Sequence, residues 1–299
     1  MIELERLQTE QRNPRTKNID CLPTLDVVRL LNAEDKTVPL AIEKILPQIA
    51  EAADLIADHL AAGGRLFYQG AGTSGRLGIL DAVECPPTYR TDPSRIVGLI
   101  AGGTPAIFRA QEGAEDQESL GAEDLRKHDF SAEDVLVGIA ASGRTPYVLG
   151  GLHYARSLGA TAIALTCSKN SPAAAAADLA LEPVTGPEAI TGSTRMKAGT
   201  AQKLVLNMLS TAAMIRLGKT YGNLMIDVNA SNAKLTERAI RIVMEVSGAP
   251  REDAAATLSA CGGSAKLASL VLLTGDDVET CRKLLADKRG KLRDALKKK

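Results

Sequence analysis

The 299 residues balance 36 Lys and Arg against 36 Asp and Glu, with 45% hydrophobic and 24% charged residues, the composition of a globular chain that can bury a substantial core. A formal net charge of zero leaves no global field to attract nucleic acid or an anionic membrane, and aromatics at 3% without Trp leave little for base stacking. No apolar run approaches the length of a membrane span. The five cysteines (Cys21, Cys85, Cys167, Cys261, Cys281) are widely spaced, and the three histidines (His59, His128, His153) lack metal-ligand spacing. This argues against a disulfide framework or zinc site and for a reducing cytoplasm.

The opening "MIELERLQTEQRNPRTKN" is charged and lacks the apolar stretch of a secretory signal. Residues 24–62 carry helical patterning in two segments, "TLDVVRLLNAEDKTV" and "PLAIEKILPQIAEAADLIADHLAAGG". In the second, Ile42, Ile45, Ile49, Ala52, Ile56 and Leu60 recur at helical spacing before Gly63-Gly64. Then the texture changes to short β-rich runs, "RLFYQ" (65–69), "RIVGLIA" (95–101), "DVLVGIA" (134–140), "TAIALT" (161–166) and "LALEP" (179–183). Helical stretches separate them near 75–84, 105–118, 145–158 and 171–177, and a long one follows near 194–217. Apolar strands alternating with helices predict a doubly wound α/β fold, a five-stranded parallel sheet covered on both faces. In the long helix Leu204, Val205, Met208, Leu209, Ala212 and Ile215 form the expected buried stripe, and Gly218 ends it. From about 235 only helical patterning remains, closing on "KLRDALKKK", which reads as a solvated, dipole-compensating helix end. The expected division is an N-terminal helical segment (1–55), an α/β domain (56–222) and a small helical domain (223–299).

The first strand runs into "GAGTSGR", where Gly70, Gly72 and Gly75 stand at G-x-G-x-x-G spacing. A dinucleotide site would also need an acid at the end of the second strand, and that strand ends "GLIAGGT". A second loop of similar chemistry, "ASGRTPY", follows the third strand, so that "YQGAGTSGR" and "VGIAASGRT" form a loose internal repeat. Helix capping by Ser74 or Thr145 explains either loop alone. Two such loops at the strand ends point instead to a phosphomonoester site, with Gly72, Thr73, Ser74, Ser142, Gly143 and Thr145 as its residues. A third block, "GPEAITGSTRMKAGTAQK" (186–203), adds Glu188 and Ser193 to the substrate-binding candidates. Ser193 or Thr194 is equally placed to be the N-cap of the long helix.

These blocks together resemble the N-acetylmuramic acid 6-phosphate etherases of the sugar isomerase (SIS) superfamily, which is also similar to glucokinase regulatory protein. The resemblance runs from "NAEDKTVPLA" to "GNLMIDV" and includes "GAGTSGRLGILDAVECPPTY", "EGAED" and "GPEAITGSTRMKAGTAQKLVLNMLST"; beside motif residues only Val83 and Thr104 depart. It implies a cytoplasmic homodimer of peptidoglycan recycling that needs no metal or organic cofactor. Such an enzyme cleaves a lactyl ether to N-acetylglucosamine 6-phosphate and D-lactate by elimination then hydration. It further implies that Glu84 and Glu115 carry the acid and base work.

An ether at carbon 3 is β to the aldehyde of the open-chain sugar, so one base at carbon 2 and one acid at the ether oxygen suffice. Pro86 and Pro87 are expected to end a helix at Glu84, where the dipole would raise its pKa and suit it to be the acid. Glu115 would follow a helix begun by Thr104 and Pro105, and spacing does not separate it from Glu112. Glu188 is a further candidate for ring opening or hydroxyl binding. The rival readings are a non-catalytic sugar-phosphate sensor and an aldose–ketose isomerase. The pairing of "VECPP" with "EGAED" favours the etherase.

Overall fold

The computed structural model describes residues 10–230 and 232–297. The opening stretch "MIELERLQT" and the last two lysines of "KLRDALKKK" lie outside them. The chain divides into two compact units, Met1–Ala82 with Ser94–Ser210, and Val83–Pro93 with Thr211–Lys299.

In the first unit, helices α1 (Thr24–Asp35), α2 (Thr37–Glu43) and α3 (Leu46–Ala62) precede strand β1 (Leu66–Gly70). The apolar spacing from Ile42 to Leu60 suggested one helix, but the chain breaks at Ile45, because Pro47 belongs in the first turn of α3 and cannot donate within α2. Ile49, Ala52, Ile56 and Leu60 are buried as expected, and Gly63 at φ 107° stops the helix. Then come α4 (Gly72–Tyr89), β2 (Ile96–Ile100), α5 (Thr104–Phe108), α6 (Glu118–Lys127), β3 (Val135–Ile139), α7 (Pro146–Ser157), β4 (Thr161–Leu165), α8 (Pro172–Ala175), β5 (Leu179–Leu181) and α9 (Lys197–Arg216), with the ends of α4 and α9 belonging to the second unit. All five predicted strands form one parallel sheet in the order β2-β1-β3-β4-β5. Strands β1 and β3 are buried along their whole length, which explains their unbroken apolar runs.

Three further expectations fail. The helix placed at 105–118 ends at Phe108, and the next helix begins at Glu118. That helix, α6, has few apolar residues and a central glycine. Gly121 lies where a Cβ would run into the carbonyl of Tyr147, so this weak helix former is what lets α6 approach α7. The second failure concerns α4, which continues through Pro86 and Pro87 to Tyr89. An internal proline costs about 3 kcal/mol. Continuing the helix buries Cys85 and Tyr89 on one face, and the Pro86 carbonyl still receives the Arg90 amide at 2.9 Å. Third, the buried face of α9 is rotated from the expected stripe. Ala201, Val205, Leu206 and Leu209 are buried, whereas Met208 and Ile215 are 37% and 53% exposed.

The second unit is helical beyond α9, with α10 (Ala233–Ser247), α11 (Arg251–Ala260), α12 (Ala265–Thr274), α13 (Val278–Asp287) and α14 (Leu292–Ala295). Asn232, Ser264 and Asp277 accept the amides of Leu235, Leu267 and Thr280 as side-chain N-caps. Ala239, Val243, Leu258 and Leu270 lie in a core of this unit's own. No single helix among the described residues is long and apolar enough to cross a membrane.

A buried ion pair fastens α1 to the start of α9. Glu34 Oε2 accepts Lys197 Nζ at 2.8 Å, and each side chain is only 2% exposed. Asn13 Nδ2 at 2.8 Å and Arg15 Nε at 2.7 Å complete the shell around the carboxylate. Burial works against the charge on Glu34, but the bonds from Lys197 and Asn13 outweigh it and hold its pKa below the usual carboxylate range. Its contribution is therefore complete above the ordinary Glu pKa and is lost as pH falls through the lowered value. Glu34→Gln strands the buried Lys197 ammonium and is expected to cost about 3–5 kcal/mol near neutral pH. Denaturant melts across pH should also show a shallower loss of stability on the acid side for this variant than for the parent.

Candidate functional site

The chain leaves β1 toward β2 and leaves β3 toward β4 on the other side. The loops after these neighbouring strands therefore diverge and open a crevice at the carboxyl edge of the sheet. Gly70 and Ile139, the last residues of β1 and β3, are paired in register. The glycines of "GAGTSG" make this edge compact. A Cβ on Gly70 would lie 2.7 Å from the Gly75 amide nitrogen, and one on Gly75 would lie 2.7 Å from the Gly70 carbonyl. Strand end and helix start therefore touch backbone to backbone. The first amide with a helical acceptor is that of Gly75, to the Ala71 carbonyl at 3.3 Å, so Gly72, Thr73 and Ser74 supply the amides at the free end of α4. The Ser74 hydroxyl does not cap. It is buried and donates to Gln202 Oε1 of α9 at 2.9 Å.

The second loop is tied to its neighbours in the same way. Gly143 turns at φ 66° and its carbonyl accepts the Ala173 amide, while the Ser142 hydroxyl accepts the Arg144 amide at 3.3 Å. Ala141 accepts the Cys167 amide at 2.9 Å, and Cys167 Sγ reaches the Ala198 carbonyl at 3.7 Å. Burial, with the Glu188 carboxylate nearby, pushes the Cys167 thiol up to about 12, so it stays a thiol at neutral pH. Thr145 occupies the N-cap position of α7 without a side-chain capping bond. Pro146 has no amide hydrogen, and the Tyr147 amide donates to the Glu115 carbonyl at 3.0 Å. The start of α7 therefore offers the hydroxyls of Ser142 and Thr145 rather than free amides. These bonds bring the three sequence blocks together: the first loop holds α9 through Ser74, and the second holds it through Cys167.

Glu112 and Glu115 lie in the exposed turn between α5 and α6, and both line a cavity of about 160 Å³ with Ala71, Gly72, Arg76 and Ala106. The cavity thus joins the "EGAED" carboxylates to the free end of α4. It does not separate the two glutamates. Thr104 is the first helical residue of α5 and Gly103 its N-cap, because the backbone there turns at φ 64°. Glu84 is exposed, thirteenth of the eighteen residues of α4, and belongs to the stretch Val83–Pro93 of the second unit. Since the helix runs on to Tyr89, Glu84 is not at its end, and the helix-end argument for it as the acid does not apply. Among the described residues no group of three or more His, Cys, Asp or Glu is placed to hold a metal ion.

Sequence reasoning missed Arg76, Gln202, Lys197 and Asp81. Asp81 is buried and accepts Tyr68 Oη at 2.9 Å, Asn207 Nδ2 at 2.7 Å and Ser210 Oγ at 3.1 Å. Its burial raises the carboxyl pKa against those three bonds. An acid on an otherwise apolar helix face beside β1 was the one available signal.

Residues 48–156 match the family profile of the glucokinase regulatory protein N-terminal SIS domain, and residues 120–212 match that of the SIS domain. The N-acetylmuramic acid 6-phosphate etherase 2 of Vibrio cholerae serotype O1 is 58% identical over 293 residues, covering 98% of this chain and 95% of its own. The N-acetylmuramic acid 6-phosphate etherase of Vibrio campbellii is likewise 58% identical with the same coverage. That of Photorhabdus laumondii subsp. laumondii is 56% identical over 295 residues, with 99% and 98% covered.

Glu188 and Ser193 sit where the third block turns into α9. Ser193 lies in a turn, its amide bonded to the Ile190 carbonyl, and neither it nor Thr194 caps the helix. The cap comes from nine residues upstream: Glu188 Oε2 accepts the Lys197 amide and Oε1 the Ala198 amide, each at 2.9 Å, and the residue is fully buried. Burial raises its pKa, and the two amides and the Lys197 charge oppose that rise. Glu188→Gln turns one accepting oxygen into a donor facing an N–H. We expect a loss of about 1–3 kcal/mol in denaturant unfolding at neutral pH.

Proposed function

The chain belongs to the N-acetylmuramic acid 6-phosphate etherase family, and from that we propose that it cleaves the D-lactyl ether of N-acetylmuramic acid 6-phosphate in cell-wall recycling. The products are N-acetylglucosamine 6-phosphate and D-lactate. The observation that carries this reading is the cavity at the carboxyl ends of β1 and β2 that Glu112 and Glu115 line together with Gly72 at the free end of α4. There a sugar phosphate can meet the amide end of α4 on one side and a carboxylate on the other.

In the reading we favour, the 6-phosphate rests on the amides of Gly72, Thr73 and Ser74 and the hydroxyls of Thr73, Ser142 and Thr145. Gly143 shapes the second loop, and Glu188 and Ser193 hold the third block beside them. Glu115 removes the proton at carbon 2 of the open-chain aldehyde. The electron pair moves to form the carbon 2–carbon 3 double bond, and the ether oxygen leaves as the lactate hydroxyl on taking a proton from Glu84. Water then adds at carbon 3, and carbon 2 regains a proton. The assignment of Glu115 is supported by the Tyr147 amide, which pins its backbone to the second loop. That of Glu84 is supported by its place in "VECPP". Two carboxylates suffice for this chemistry, so no metal or organic cofactor enters the proposal. We also place the enzyme in the cytoplasm as a homodimer. The dimer is supported by the exposed Leu25, Val28, Leu40 and Leu46 on the N-terminal helices.

Two experiments test this. Incubation with N-acetylmuramic acid 6-phosphate should release D-lactate. In heavy water Glu84→Gln should still exchange the carbon 2 hydrogen while releasing almost no lactate, and Glu115→Gln should lose both. Opposite exchange behaviour would reverse the two roles, and full activity in both variants would remove these glutamates from the mechanism. The second experiment addresses the phosphate. Ser142→Ala should weaken substrate binding by roughly 1.5–3 kcal/mol, the worth of a hydrogen bond to a charged group. Unphosphorylated N-acetylmuramic acid should be a poor substrate, and equal turnover of the two sugars would rule out the phosphate site.

A further inference from the structure

Arg76 lies one turn into α4, just past the glycine loop, and its side chain is held from one edge only. Nε donates to the Ile107 carbonyl at 2.8 Å and Nη2 to the Ala106 carbonyl at 2.7 Å. These are carbonyls of the last turn of the five-residue helix α5, where intrahelical donors run out. Both partners are neutral, so the bonds fix the guanidinium without cancelling its charge. A guanidinium carries five N–H donors, and these two bonds leave its Nη1 and the second hydrogen of Nη2, the end-on pair that fits a carboxylate bidentately. Arg76 lines the same cavity as Glu112 and Glu115.

That cavity poses an electrostatic problem for the substrate. Two carboxylates there repel any anion brought in with the sugar, and the substrate carries two anionic groups, its phosphate and its lactyl carboxylate. The lactyl group hangs from carbon 3, beside the carbon 2 that Glu115 must reach, whereas the phosphate is on carbon 6 at the far end. The anion nearest Glu115 is therefore the lactyl carboxylate. We propose that Arg76 binds this carboxylate end-on, and so makes the enzyme selective for an acidic ether substituent. The inference rests on the etherase reading.

The test compares the natural substrate with its analogue in which the lactyl carboxylate is a primary amide, following N-acetylglucosamine 6-phosphate, the product common to both. The parent enzyme should prefer the carboxylate by about 10- to 100-fold in kcat/KM, the worth of a charge-assisted hydrogen bond. In Arg76→Met that preference should fall to near one, and Arg76→Lys should keep part of it. A purely structural role for Arg76 would slow both substrates alike and leave the ratio unchanged, which overturns the proposal. It is also overturned if the parent enzyme itself fails to discriminate, a measurement that needs no variant to fold. Inhibition by N-acetylglucosamine 6-phosphate, which lacks the lactyl group, should be unchanged in Arg76→Met; a comparable weakening would assign Arg76 to the phosphate instead. Failure of the parent to release lactate from the natural substrate would refute the etherase reading, and this inference with it.

Discussion

The first turn of α9 has four amides that its own helix cannot satisfy, and their position decides how the crevice is built. Glu188 takes the Lys197 and Ala198 amides, one on each oxygen, and the same Lys197 sends its ammonium to Glu34. One residue thus joins the third sequence block by its backbone and the N-terminal helices by its side chain. From this fixed start α9 meets the first loop at Ser74 through Gln202, and Ala198 meets Cys167, whose amide is bonded to Ala141 of the second loop. This anchoring gives the hydroxyls and amides of the crevice a defined spacing.

The two carboxylates in that network titrate in opposite senses for the same underlying reason. Each is buried, and burial alone would raise both. Glu34 has cationic partners in Lys197 and Arg15 as well as Asn13, and ends below its usual range. Glu188 has mainly amides, whose partial charges only moderate the rise. The balance between burial and the hydrogen bonds and charges that reach each carboxylate sets the sign.

The sheet was legible in the sequence because parallel strands buried on both faces are written as unbroken apolar runs, and each of the five predicted runs overlaps an observed strand. The helices were less so, wherever the reason for a conformation lay outside the local window. Gly121 in α6 looks like a breaker until Tyr147 of α7 is placed against it. Pro86 and Pro87 look like a stop until the faces of Cys85 and Tyr89 are buried. Of the candidate site, the glycine and hydroxyl loops could be read from their repetition, and "EGAED" from its resemblance. The cap of α9 could not, since no rule of spacing points from Lys197 back to Glu188. Arg76 was hidden for a similar reason, because its partners are backbone carbonyls, which any sequence supplies.

The contact between Gly70 and Gly75 limits how this chain can change over generations. An ion pair such as Glu34–Lys197 can be exchanged for an apolar pair of similar volume when both members change together, so drift has a path through it. Gly70 and Gly75 meet main chain to main chain, and no second substitution can trim a carbonyl or an amide to make room for a methyl. Laboratory libraries that randomise the first loop to retune its ligand should therefore hold these two positions fixed and draw their diversity from Thr73 and the hydroxyls across the crevice.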